Sequence, residues 1–121
     1  MKKNVLIVED NDLNRRLFKD VLAAAGYNAY AADTGEAANR AVREMRPDLI
    51  LMDICLPDMD GLEIAREIKS DASMSDIPII ALTACAMEGD KDYFLSEGCE
   101  GYLSKPISVN GFLQYVQKYL H

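Results

Sequence analysis

A chain of 121 residues with 13 Lys+Arg against 20 Asp+Glu, a net charge of −7 and half its residues hydrophobic has room for one domain, residues 1–121, and no second domain is expected beside it. That acidic balance disfavours binding to nucleic acid or to an anionic membrane, both of which need positive surface. No stretch approaches the ~18 consecutive apolar residues of a membrane span. The opening MKKNVLIVED is too short in apolar length for a signal peptide, and three cysteines with no CxxC pair read as reduced thiols of a cytoplasmic protein.

In chain order, the first element is the apolar run Val5 to Val8, a strand. Leu13, Leu17 and Val21 then share one helical face at four-residue steps, with Phe18 and Leu22 beside them, and Gly26 stops the helix. Asn28 to Ala31 is a weaker strand. Ala37, Ala38, Ala41, Val42 and Met45 repeat the helical pattern before Pro47. Leu49 to Met52 is a strongly apolar strand, Leu62, Ala65 and Ile68 a third helical stripe, and Ile79 to Leu82 another strong strand. Met87 to Glu97 is the least convincing helix, interrupted by Gly89 and dominated by charge. Gly101 to Leu103 is a weak strand. Val109, Phe112, Leu113, Val116 and Leu120 form the last stripe, a core face begun by Ser108 as N-cap.

Continuous apolar strands alternating with amphipathic helices imply βαβ units and a parallel sheet covered on both faces. The three strong strands belong at the centre and the two weak ones at the edges. The expected fold is therefore α/β, a flavodoxin-like (βα)5 doubly wound five-stranded parallel sheet in the order 2-1-3-4-5, with ligands bound beyond the carboxyl ends of the strands.

Those ends carry a distinctive set. Glu9 and Asp10 follow the first strand, Asp53 the third, Thr83 the fourth, and Lys105 with Pro106 the fifth. In a parallel sheet they share one rim. Three carboxylates in one crevice repel each other, and a divalent cation relieves the repulsion; hard oxygen ligands suit Mg²⁺. A lysine and a hydroxyl beside the same point suit the oxygens of a phosphoryl group. Asp53 then reads as a nucleophile for phosphorus, held ionised by Mg²⁺ and Lys105.

This ordered set resembles the response-regulator receiver domain of two-component signalling over nearly the whole chain. The phrases VLIVEDNDLN, LILMDICLPDMDG, ALTACAMEGD and YLSKPIS are similar to stand-alone bacterial receivers of the DivK type. The resemblance implies that Asp53 accepts the phosphoryl group. It implies that Asp10, Asp53 and the backbone carbonyl of Cys55 ligate Mg²⁺ (or Mn²⁺ in its place), with Glu9 holding the ion through water. Lys105 would contact the phosphoryl oxygen, Thr83 would switch to bond it, and Tyr102 would turn inward after it. Lys105–Pro106 is a cis peptide in this family. The donor would be a phosphohistidine of a sensor histidine kinase or a histidine phosphotransfer protein. The chain would be a signalling protein with Mg²⁺-dependent self-phosphorylation and slow autophosphatase activity, not a metabolic enzyme, and a monomer before phosphorylation. Its output would be regulation of partners, including kinases of cell division or polarity; a phosphate shuttle or sink, or a fragment of a longer regulator, fits the same residues.

Plainer readings stand beside these. Glu9–Asp10 alone would be a solvated turn, Thr83 alone a cap, Lys105 alone a surface lysine, and Tyr102 an edge-strand aromatic that simply packs. Asp58, Asp60, Gly61 and Glu67 mimic part of a calcium loop, but Leu56 and Pro57 occupy its first two places, so Pro57 and Gly61 are better read as shaping the turn after Asp53. A flavin-binding relative would need a glycine- and hydroxyl-rich loop where this chain has Glu9 to Asp12. A phosphatase with an aspartyl nucleophile would need an acid where Cys55 stands. Cys55 and Cys85, two residues beyond Asp53 and Thr83, are poor orienters of water, so a long-lived acyl phosphate is expected.

Overall fold

The computed structural model describes residues 2–54, 56, 58, 60–83, 93, 95–96, 98–104 and 108–120. Its elements are β1 (Asn4–Val8), α1 (Asp12–Ala24), β2 (Asn28–Ala32), α2 (Gly35–Met45), β3 (Leu49–Asp53), α3 (Gly61–Ser70), β4 (Ile79–Thr83), β5 (Gly101–Ser104) and α4 (Val109–Tyr119). All strand pairs are parallel and the order is β2-β1-β3-β4-β5, as the alternation of strong and weak strands predicts. The helix expected over Met87 to Glu97 falls largely outside the described residues.

Every residue of β3 and β4 is buried, which is why neither shows an alternating polar pattern. Their side chains alternate between two separate cores. Ile50, Met52, Ile79 and Ala81 join Leu6 and Val8 beneath α2 and α3, against Ala38, Val42, Leu62, Ile64, Ala65 and Ile68. Leu49, Leu51, Ile80 and Leu82 join Val5 and Ile7 beneath α1 and α4, against Phe18, Leu22, Phe112, Val116 and Leu120. Phe18 stacks on Phe112 with ring centroids 4.8 Å apart, tying α1 to α4. Burying each such side chain contributes about 1.5–3 kcal/mol.

The helical stripes need two corrections. In α1 the inward residues are Phe18 and Leu22, while Leu13 and Leu17 are 76% and 45% exposed; four-residue steps drift around a helix of 3.6 residues per turn and do not define one fixed face. In α4, Phe112, Val116 and Leu120 are buried and Leu113 is partly so, but Val109 lies exposed in the first turn. The expected punctuation is present: Ser108 Oγ accepts from Gly111 N at 3.1 Å, and Gly26 lies at φ 96°, a left-handed conformation that favours glycine. Beyond β3 and β4 the strands run into their site residues, so Asp53 and Thr83 are the last positions of their strands.

Candidate functional site

The β1–α1 turn is fixed by its own hydrogen bonds. Glu9 N donates to Ala32 O at 3.0 Å, continuing the ladder to β2 past the end of β1. Asn11 N donates to Glu9 Oε1 at 3.2 Å, and Asn11 in turn caps α1 by accepting from Asn14 N at 2.9 Å. From the first turn of α1, Arg15 Nη1 donates back to Glu9 O at 3.1 Å while Arg15 Nη2 pairs with Asp12. The backbone carrying Glu9 and Asp10 is thereby held from both sides.

On the other side of the crevice, Asp53 ends β3 with its Cα in register with Leu82 of β4. Ile54 N donates to Leu82 O at 3.1 Å, and Gly61 N closes the following loop on Ile54 O at 2.9 Å. Gly61 is required by close approach: a Cβ built there would lie 2.3 Å from Asp53 O. Asp60 caps α3 by accepting from Leu62 N at 2.9 Å.

These turns bring Glu9, Asp10 and Asp53 together, with one carboxylate oxygen from each lying within 4.8 Å of the others. Glu9 is 1% exposed and Asp53 5%, whereas Asp10 faces solvent. Two carboxylates so deeply buried beside a third need a compensating charge. A purely oxygen donor set, open to water on the Asp10 side, fits a small hard cation such as Mg²⁺, which retains several of its waters. Thr83 is 8% exposed at the end of β4, in register with Ser104. Tyr102 in β5 is half-buried and packs against the core beneath α2 and α3. Cys55, Cys85, Lys105 and Pro106 lie outside the described residues.

Some ties around the site have no counterpart in the sequence reading. Asp58 Oδ1 accepts from Gly35 N at 2.8 Å and its Oδ2 from Glu36 N at 3.1 Å, joining the β3–α3 loop to the start of α2. Lys69 Nζ gathers Ser75 O, Ile77 O and Glu100 Oε1 at 3.1, 2.7 and 2.6 Å, while Glu100 Oε2 accepts from Ile79 N at 2.6 Å; this braces the opposite end of β4. Among the described residues, no helix is long and apolar enough to cross a membrane.

An aspartate-lined crevice at the carboxyl edge of a 2-1-3-4-5 sheet defines a class, and the chain belongs to it: the family model of the response regulator receiver domain matches residues 5–117. Among curated proteins it is similar to the polar-differentiation response regulator DivK of Brucella anthropi, 49% identical over 120 residues, which span 99% of this chain and 98% of the relative. DivK of Brucella ovis is 48% identical over the same lengths. Among solved structures it is similar to the receiver domain of a sensor histidine kinase from Pseudomonas aeruginosa, which has a magnesium ion coordinated in its active-site cleft. That similarity has a TM-score of 0.89 at 35% identity and covers 99% and 98% of the two chains. A chemotaxis response regulator of Vibrio cholerae gives 0.93 at 27% identity, covering 98% and 99%.

Proposed function

We propose that the chain is a stand-alone response regulator that takes a phosphoryl group onto Asp53 from a phosphohistidine of a sensor histidine kinase or histidine phosphotransfer protein. The observation that carries this reading is the convergence of Glu9, Asp10 and Asp53, two of them buried, at the carboxyl edge of the sheet.

Asp10, Asp53 and the main-chain carbonyl of Cys55 would hold Mg²⁺, with Glu9 holding it through water. When bound, the ion neutralises charge on the carboxylates and on the incoming phosphoryl oxygens. Asp53 Oδ forms a bond to phosphorus as the N–P bond of the donor imidazole breaks, and the ring nitrogen keeps the electron pair. The chain's share of the work is positioning in line and charge compensation, the latter shared with Lys105. Thr83 then donates its hydroxyl to a phosphoryl oxygen, and Tyr102 follows inward as the switch. Attack by water on phosphorus returns the carboxylate and releases inorganic phosphate.

Helix α1 offers a docking surface for the donor, since Leu13 and Leu17 are exposed on it without serving the core. The Brucella relatives are polar-differentiation response regulators, and the same kind of output, exercised in the cytoplasm through partner proteins and not through nucleic acid, is proposed for this chain. The single domain acts as a monomer before phosphorylation. The reading is tested by intact mass after incubation with acetyl phosphate, with and without Mg²⁺. One phosphoryl group on the unaltered chain, lost in Asp53→Asn or without Mg²⁺, is expected; labelling that survives in Asp53→Asn would refute the choice of aspartate.

A further inference from the structure

We infer that Asp58 is a positioning residue for the metal-binding loop, a role that rests on the receiver reading above. Helix α2 starts with four backbone amides that lack a partner within the helix. Thr34 Oγ1 accepts from one of them, Ala37 N, at 3.1 Å, while the Thr34 carbonyl takes the first regular helical bond, from Ala38 N at 3.0 Å. Two more, Gly35 N and Glu36 N, donate to the two carboxylate oxygens of Asp58, 23 and 22 residues further along the chain. The first two amides of α2 thus depend on a second loop that reaches the helix start. A carboxylate there is further favoured by the helix dipole.

The same bonds anchor the chain that follows Asp53 at the described residue Asp58. The ends of this loop are closed by Gly61 N on Ile54 O, and Asp58 pins its middle. The loop begins at Asp53 itself, so slack in it becomes slack in the main chain that flanks the carboxylate cluster. The anchor is rigid as well. Helix α2 is held to α3 by Asn39 Nδ2 donating to Glu67 Oε2 at 2.9 Å and by Arg43 to Asp71 at 3.3 Å, with Ala38 and Val42 buried beneath it. Mg²⁺ tolerates little departure from octahedral geometry, so a main chain anchored at Asp58 loses less freedom on binding it. Asp58 therefore raises metal affinity without touching the metal.

The test is the Mg²⁺ dissociation constant by titration calorimetry, with no phosphodonor present, and then labelling by acetyl phosphate across Mg²⁺ concentrations. Asp58→Ala is expected to weaken Mg²⁺ binding about five-fold. Labelling at saturating Mg²⁺ should stay within about two-fold of the unaltered chain, because bound metal restores the loop. Asn39→Ala cuts the α2–α3 seam one turn away and leaves both Asp58 bonds; it should leave the dissociation constant unchanged. An unchanged constant in Asp58→Ala, or equal weakening in both variants, would overturn the role, the second showing mere helix destabilisation. If the unaltered chain neither binds Mg²⁺ nor takes label, the receiver reading falls first and this role with it.

Discussion

Replacing Gly61 by alanine places a methyl group where the backbone of Asp53 already sits. The new Cβ would lie 2.3 Å from Asp53 O, 3.0 Å from Ile54 Cα and 3.2 Å from Asp53 C. All three are main-chain atoms, which cannot swing aside as a side chain can. Relief requires the first turn of α3 to move away from the end of β3 by about 1 Å, given that unstrained carbon–oxygen contacts lie near 3.3 Å. Overpacking of this kind costs about 1–3 kcal/mol, and a backbone-on-backbone clash belongs at the upper end. Opposing it is the smaller unfolded-state entropy of alanine, about 0.4–1 kcal/mol. The net expectation is a loss of about 2 kcal/mol, which for a chain of this length lowers the melting temperature by about 8 °C. Circular dichroism melts measure it directly. Labelling by acetyl phosphate should fall in the same variant, because the displaced atoms belong to Asp53, the proposed acceptor. A melting temperature equal to or above that of the unaltered chain would refute the close-packing explanation for Gly61.

Phe112→Ala should lose about 3–5 kcal/mol in urea unfolding, since it empties a buried ring site and removes the stack on Phe18; a loss below 1 kcal/mol would mean that the core collapses onto the gap. Lys69→Met should lose about 1–2 kcal/mol, because it strands two carbonyls and Glu100; water at the half-open Glu100 keeps the figure modest. Burial, reinforced by a hydrogen bond to Tyr119, raises the pKa of Tyr115 above its ordinary value of 10.0. The folded state thus holds that proton more tightly, and the stability it contributes is complete below about pH 10 and lost as pH rises through the folded value. Of the six tyrosines, Tyr115 should ionise late when tyrosinate absorbance is followed against pH, and Tyr115→Phe should delete that late component.

The parts of this molecule that sequence exposes most clearly are those governed by burial. The runs Val5 to Val8, Leu49 to Met52 and Ile79 to Leu82 are apolar because each lies within the sheet with helices on both faces, and that placement orders the strands. Glu9, Asp10 and Asp53 are legible because an acid at the end of an apolar strand needs a reason, and the topology supplies a shared one. Other features leave no periodic trace. Asp58 resembles any loop acid, since the amides it serves belong to Gly35 and Glu36, and backbone donors carry no residue identity. Gly61 reads as a turn glycine, although its reason is the proximity of Asp53 O. In α1, apolar residues at Leu13 and Leu17 imitate a core stripe, and only the observed packing separates them from Phe18 and Leu22. Cation pairings such as Lys69 with Glu100 depend on loop paths that no local pattern encodes.

The sheet also acts as a partition. Along β3, Leu49 and Leu51 belong to one compartment and Ile50 and Met52 to the other, and among the described residues the two form separate clusters. Substitutions on opposite sides should therefore combine additively, whereas neighbours within one side must change together. The compartment of α1 and α4 can drift in sequence while that of α2 and α3, to which Asp58 is fastened, keeps its own packing. One sheet thus allows one side of the molecule to be remodelled without disturbing the carboxylates gathered at its edge.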